Sequence, residues 1–184
     1  MISSRQKNLL FKVKKMEKII TEQNGKFEIY TFKEGLLSAV AHDLLIEMAK
    51  FEIKMTDQQI QGKFWLESLK VKGAIVQGEL NTSLLKAKDH LEIQNNIFQK
   101  ILETKKYPIA YISFDQAQDP SIFLTLKNQK HPLSDQIKSA ESDQIPLSGS
   151  VEIKPTIWGI APYQALFGAI KLQDRILIQW QFDK

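Results

Sequence analysis

There is no cysteine among the 184 residues. That excludes disulfides and thiolate metal sites, and it leaves the redox compartment open. Glycine is sparse, eight in all, and none falls in a phosphate-cradling loop or a dinucleotide-binding pattern. No apolar run approaches the roughly 18 residues of a membrane span. The run Leu9-Leu10-Phe11 is broken by Lys12, with neither the long apolar stretch nor the small-residue cleavage site of a secretory signal, so cytoplasm is the default expectation. The three histidines, His42, His90 and His131, form no close pair at i, i+2 or i, i+4, and neither a metal site nor a cofactor is expected. Ser38, Ser68, Ser113, Ser148 and Ser150 have no nucleophile elbow and no recognisable base partner. Nothing in this survey asks for an enzyme.

A positive surplus is missing where it would matter. The net charge is +4 and the isoelectric point near 9.1. Residues 1–26, however, hold seven Lys/Arg against Glu17 and Glu22, whereas residues 27–184 hold 18 basic and 19 acidic side chains. The body therefore carries −1 and cannot neutralise phosphates along a nucleic acid. Residues 1–26 read as a basic leader, either a solvated tail or sequence upstream of a true start at Met16. Leu9, Leu10, Val13, Met16 and Ile20 recur at helical spacing among lysines, which leaves a weak contact of residues 1–20 with an anionic membrane surface open.

What is present is apolar alternation. With 43% hydrophobic residues, including 10 Phe, 4 Tyr and 3 Trp, the chain suits one domain, over 27–184, with a sizeable core or an apolar cavity. "FEIYTF" at Phe27 alternates, and so does "RILIQWQF", where Ile176, Ile178, Trp180 and Phe182 oppose Arg175, Gln179 and Gln181. Between Val40 and Met55 the pattern switches: Val40, Leu44, Ile46 and Met48 share one parity, Phe51, Ile53 and Met55 the other. Such a switch near Ala49-Lys50 means a bulge or bend, as curved and closed sheets need. Seven to nine mostly antiparallel strands result, and on this pattern alone a barrel and a sandwich are both open. "GIAPYQALFGAI" reads as a short helical turn begun by Pro162.

One segment breaks the strand pattern. In "KDHLEIQNNIFQKILETKKYP" Asp89 is placed to cap a helix, with Glu92 three residues on. Leu91, Phe98, Ile101 and Leu102 give it an apolar face, and Pro108 stops it, so a helix over about 89–104 is expected to lie on something apolar.

Three segments carry a resemblance. Asp89-His90-Leu91, an apolar helix and Tyr107-Pro108 before a strand are similar to a segment of the YceI-like family. "LTLKNQKHPL" (Leu124 to Leu133) resembles that family's "LTLHGVTHPV" hairpin, and "GLLSAVAHDLLIEMAKF" its first strand ending in His. Order and spacing match, over roughly residues 27–184. The resemblance implies an all-β fold, an eight-stranded antiparallel lipocalin-like barrel with one internal helix and an elongated apolar interior, and a ligand of polyisoprenoid type. The departures mark a divergent member: Glu92 stands where the family has a basic residue, and Lys127-Asn128 where it has "HG".

On that reading the protein is a lipid-binding one, its ligand an isoprenoid or another long apolar chain held inside the barrel. Inward parity selects Val40, His42, Leu44, Phe64, Leu66, Ile112, Phe114, Leu124, Leu126, Ile178 and Trp180 as ligand-binding residues, with the helix closing one end. His42 and Asp43, adjacent on a strand, face opposite ways and cannot form a catalytic pair. His42 is either a core histidine or a polar contact to a head group. The alternative is a dry-cored barrel acting as a protein-interaction module. The oligomeric state, a homodimer included, stays open.

Overall fold

The computed structural model describes residues 17–34, 42–56, 58–115, 119–133, 137–138, 147–165, 167 and 170–183. Within them the alternation becomes strands β1 (Lys18–Thr21), β2 (Gly25–Lys33), β3 (Asp43–Met48), β4 (Phe51–Met55), β5 (Gln59–Trp65), β6 (Leu69–Val76), β7 (Glu79–Asn81), β8 (Ile109–Asp115), β9 (Asp119–Leu126), β10 (Gln129–Pro132), β11 (Ile137–Lys138), β12 (Ser148–Ile153), β13 (Gln164–Ala165) and β14 (Ile170–Phe182). The pairings form two antiparallel sheets. One runs β1-β4-β5-β8-β9-β10; the other runs β11-β12-β14-β2-β3-β6-β7, with β13 on β14.

The sheets share strands in all but name. β3 runs into β4 across residues 49–50, and β5 runs into β6 across a 3₁₀ turn at Leu66–Ser68. The corner keeps its hydrogen bonds: Ala49 N–H donates to the Ser68 carbonyl at 3.3 Å, Lys50 N–H to Ser68 Oγ at 2.9 Å, and Trp65 N–H to the Lys50 carbonyl at 3.2 Å. This is the parity switch seen in the sequence. Leu44, Ile46 and Met48 are buried before it and Phe51 and Ile53 after it, because the bend turns the opposite parity toward the same core. On the far side, β10 pairs with β9 in one sheet and β11, a few residues on, pairs with β12 in the other. The two antiparallel sheets thus pack as walls around one interior. No single sheet closes on itself among the described residues.

The folded chain begins before Phe27. β1 pairs with β4, and Ile20, grouped by helical spacing with the leader, is 1% exposed in that strand. Two consecutive isoleucines beside lysine read equally well as an edge strand, and the partner strand decides. Residues 1–16, with Leu9, Leu10, Val13 and the Met16 start, lie outside the described residues.

The helix also starts early. α1 (Ala87–Asn95) is followed without a break by a π-helical stretch, Asn96–Ile101. Asp89 is the third helical residue and not the cap; its Oδ2 accepts the Lys86 N–H at 2.9 Å, satisfying a donor that the first turn leaves free. At the far end Leu102 N–H donates to the Ile97 carbonyl at 2.9 Å, and Glu103 turns the chain with φ 51°. Leu91 is not on the packed face: it is 67% exposed. At about 100° per residue it stands roughly 200° from Ile93, which packs on the core together with Ile97, Phe98, Ile101 and Leu102. No helix among the described residues is long and apolar enough to cross a membrane.

The turn expected at Pro162 lies earlier. A 3₁₀ turn at Pro155–Trp158 is begun by Pro155 and closed by Gly159 at φ 69°, a conformation that favours glycine. After it residues 160–163 form no helix and Gln164–Ala165 pairs with β14; within the expected segment only Phe167 is in 3₁₀ conformation among the described residues. Trp158 is 1% exposed, so this turn, with no periodic signal of its own, anchors a core residue.

Candidate functional site: an apolar cavity between the sheets

Period-two alternation puts every second residue of each strand on the inner face. From β2 these are Phe27, Ile29 and Thr31; from β8, Ala110, Ile112 and Phe114; from β9, Ile122, Leu124 and Leu126; from β14, Ile176, Ile178, Trp180 and Phe182. Ile97 and Ile101 of the π-helical stretch and Leu102 beyond it add a wall. Together they enclose a cavity of about 510 Å³. That lies inside the ~300–1,000 Å³ range of small-molecule sites.

The ends of the cavity differ. Along β2 and β14, one end is aromatic: Phe27 meets Phe51 and Phe64 edge-on, at centroid distances of 4.9 and 5.0 Å, and Phe182 at 5.6 Å. Aromatic pairs in this geometry hold a wall more firmly than their buried area alone would. The other end of the same two strands brings Thr31, Tyr163, Gln173, Asp174 and Arg175 to the lining. A register shift between Leu172 and Ile176 lies here.

Those polar groups are mostly engaged. Asp174 Oδ1 accepts the Thr156 N–H at 3.0 Å and Oδ2 accepts the Thr156 hydroxyl. Gln173 Nε2 donates to the Lys33 carbonyl at 2.9 Å. The Arg175 guanidinium lies 3.9 Å above the Phe32 ring and its Nη1 is 3.6 Å from Glu152 Oε2. Thr31 Oγ1 and Arg175 Nε are buried with no hydrogen-bond partner among the described residues.

Of the residues singled out from the sequence, Phe64, Leu66, Ile112, Phe114, Leu124, Leu126, Ile178 and Trp180 line the cavity. Leu44 is buried, at 8% exposure, but does not line it. It shares the inward parity of Ile46, which does line the cavity, and pairs with Thr31 of β2. His42, half-buried just before β3, is not in the lining either. Val40 lies outside the described residues. The histidines do not meet: His90 is in α1, and His131 is in β10, edge-on to Trp158 at 5.5 Å. No group of three or more metal-ligating side chains gathers among the described residues.

Sequence reasoning missed Thr31 and the run Ile160 to Tyr163 as lining residues. Thr31 was recoverable, since it shares parity with Phe27 and Ile29. The segment 160–163 has no periodicity to read, and only the fold brings it to the cavity.

No family model matches the sequence, and no curated protein matches it. Solved structures do. The fold is similar to that of a polyisoprenoid binding domain from Saccharophagus degradans implicated in plant cell wall breakdown, at 11% identity and a TM-score of 0.55, over 91% of this chain and 96% of that one. It is also similar to Burkholderia cenocepacia BcnA, at 13% identity and a TM-score of 0.51, over 85% and 93%. At these identities the likeness shows the fold alone, a mostly antiparallel two-sheet fold with one helix.

Proposed function

We propose that this protein, a divergent YceI-like chain, binds a long-chain apolar lipid of isoprenoid type in the cavity between its sheets. The observation that carries the reading is the cavity itself, walled by both sheets and by the helix, with its polar groups gathered on the β2–β14 side. Burial supplies the affinity: about ten methylene-sized groups at ~0.8 kcal/mol each come to roughly 8 kcal/mol, from which the cost of association is subtracted. The likeness to a polyisoprenoid binding domain supports the ligand class. The proposed role is binding and not catalysis, and a dry-cored interaction module is the weaker reading because the interior holds this space.

Native mass spectrometry of the purified protein tests it. An adduct that organic extraction removes, or uptake of added geranylgeraniol by the extracted protein, is the expected result. A clean mass with no uptake overturns the proposal.

A further inference from the structure

We infer that the polar end of the cavity docks onto the surface of a zwitterionic lipid bilayer, seated there by exposed apolar side chains around its rim. This concerns where a ligand is met, and it goes beyond the lipid-binding reading. The strand register defines the rim. One row of partners runs Ile153, Ile176, Thr31, Leu44, Ala74 and Asn81 across β12, β14, β2, β3, β6 and β7. Beyond that row, in one direction, lie the turn after β12, the β13–β14 hairpin, the end of β2, the start of β3 and the β6–β7 connection. The polar lining residues Tyr163, Gln173, Asp174 and Arg175 lie on the same side of it.

Ile157, Phe167, Val76 and Leu80 stand beyond the row, and they are four of the nine large hydrophobic residues exposed among the described ones. They span the sheet from β12 to β7 at one end, a grouping that single scattered surface residues would not give. Phe167 is the extreme case. The arms of its hairpin line the cavity: Leu172 N–H donates to the Tyr163 carbonyl at 3.0 Å, and both residues are in the lining. Gln164 and Ala165 then pair with Lys171 and Ile170, and Phe167 follows, fully exposed, at φ 53°. That backbone region is costly for a bulky residue, and an exposed ring gains nothing from the core in return. Folding gives no reason for phenylalanine here, whereas an apolar layer that the ring can enter does.

The charges at this end fit a zwitterionic surface. On the strand ends and connections just named, Lys33, Lys154, Lys171 and Arg175 stand against Glu34, Asp43, Glu79 and Asp174, four of each sign. Lys171 is 3.0 Å from Glu34, and Arg175 Nη1 is 3.6 Å from Glu152 Oε2. Asp43 Oδ1 accepts the Lys33 N–H at 2.7 Å. Residues 35–41 and 166–169, which join strands at this end, contain no charged side chain. Apolar tips among balanced charges match a layer of paired phosphate and ammonium groups over hydrocarbon. A strongly acidic or basic macromolecule would meet no opposite surplus here.

Insertion by the rim and attraction by the leader are separable. Residues 1–16 hold five Lys/Arg and no acidic residue, so any contact they make needs anionic lipid and fades with salt. Entry of apolar tips needs neither anionic lipid nor low salt. Phe167→Gly removes the ring and suits the positive φ, so the melting temperature is expected to hold or rise. The same change is expected to weaken vesicle binding by about tenfold, the ordinary size of one apolar side chain returned to water.

The experiment is co-sedimentation of the full chain with phosphatidylcholine vesicles at low and high salt. Phe167→Gly, Ile157→Ser and Leu147→Ser are run beside it, with thermal unfolding as the folding control. Leu147 is equally exposed but sits at the opposite end of the sheet, where its carbonyl accepts the Phe182 N–H. Binding that survives high salt, falls in Phe167→Gly and Ile157→Ser and is unchanged in Leu147→Ser is expected. Absence of binding overturns the docking inference. So does binding that needs phosphatidylglycerol and is lost in high salt, or rim variants that bind like the parent. Native mass spectrometry with added geranylgeraniol keeps the two readings apart. Vesicle binding as expected with no adduct overturns lipid binding and leaves the docking surface; an adduct without vesicle binding does the reverse.

Discussion

The indole N–H of Trp158 donates to the main-chain carbonyl of Leu124 across 3.1 Å, tying the 3₁₀ turn after β12 to the middle of β9. Trp158 is almost wholly buried and Leu124 half-buried, so this bond is made in a partly buried setting. Trp158→Phe keeps most of the packing and removes the donor. A loss of about 1–3 kcal/mol in urea unfolding is expected, because the part-buried carbonyl loses a partner. An unchanged midpoint would show that the ring alone anchors the turn.

Gly149 and Trp180 are direct partners on β12 and β14, and the indole lies over the glycine. A Cβ built at Gly149 would stand 2.4 Å from Trp180 Cζ2, closer than atoms can approach. Gly149→Ala must therefore push the ring aside. The expected cost is about 1–3 kcal/mol, with a shifted tryptophan emission as the ring leaves its position. A protein that melts and fluoresces like the parent sinks this account of the pair.

Filling the cavity separates binding from folding. Ile178 on β14 lines it from the middle of a strand paired on both sides. Ile178→Trp places the larger side chain into existing space, so stability is expected to stay within about 1.5 kcal/mol of the parent. Lipid uptake, measured as adduct fraction in native mass spectrometry, is expected to fall severalfold. Full uptake by this variant would place the ligand elsewhere.

Glu103 and Lys127 pair between the helix end and the β9–β10 turn. The Lys127 ammonium, donating a hydrogen bond to it, holds the Glu103 carboxyl below its ordinary 4.5. A carboxyl depressed in the folded state contributes stability that is present above 4.5 and lost as pH falls through the lower folded value. Lys127→Met is expected to flatten that acid limb of the stability profile, read by urea midpoints between pH 6 and pH 3, and to leave the profile above pH 6 parallel to the parent's. An unchanged acid limb removes the pair from the account.

The strands were legible where one chain segment decides its own faces. β14 alternates cleanly because it is half-buried along its length, and the parity switch at Ala49-Lys50 marked the corner because both sides of it face the same core. Leu44 faces inward as its parity says and is buried in the core; which inward residues border the open space depends on the walls opposite them and not on β3 alone. β1 was hidden by its setting, since Ile19-Ile20 sits among charges and becomes a strand only against β4. The inward face could be read by parity because a cavity wall and a core wall obey the same alternation, while ligand contact by those residues belongs to the proposal. The polar end could not, because it depends on which turns converge at the ends of β2 and β14.

The pairing of β2 with β14 also sets an order in time. The Lys33 carbonyl receives its bond from Gln173, 140 residues later in the chain. During synthesis, therefore, β2 can zip onto β3 and β1 onto β4, while its other edge stays unpaired until β14 emerges. Long-range pairing of this kind is slow, and an open strand edge invites association with other chains in the meantime. The inner face of β2 is therefore expected to gain its β14 neighbour late, whatever order the other strands pair in.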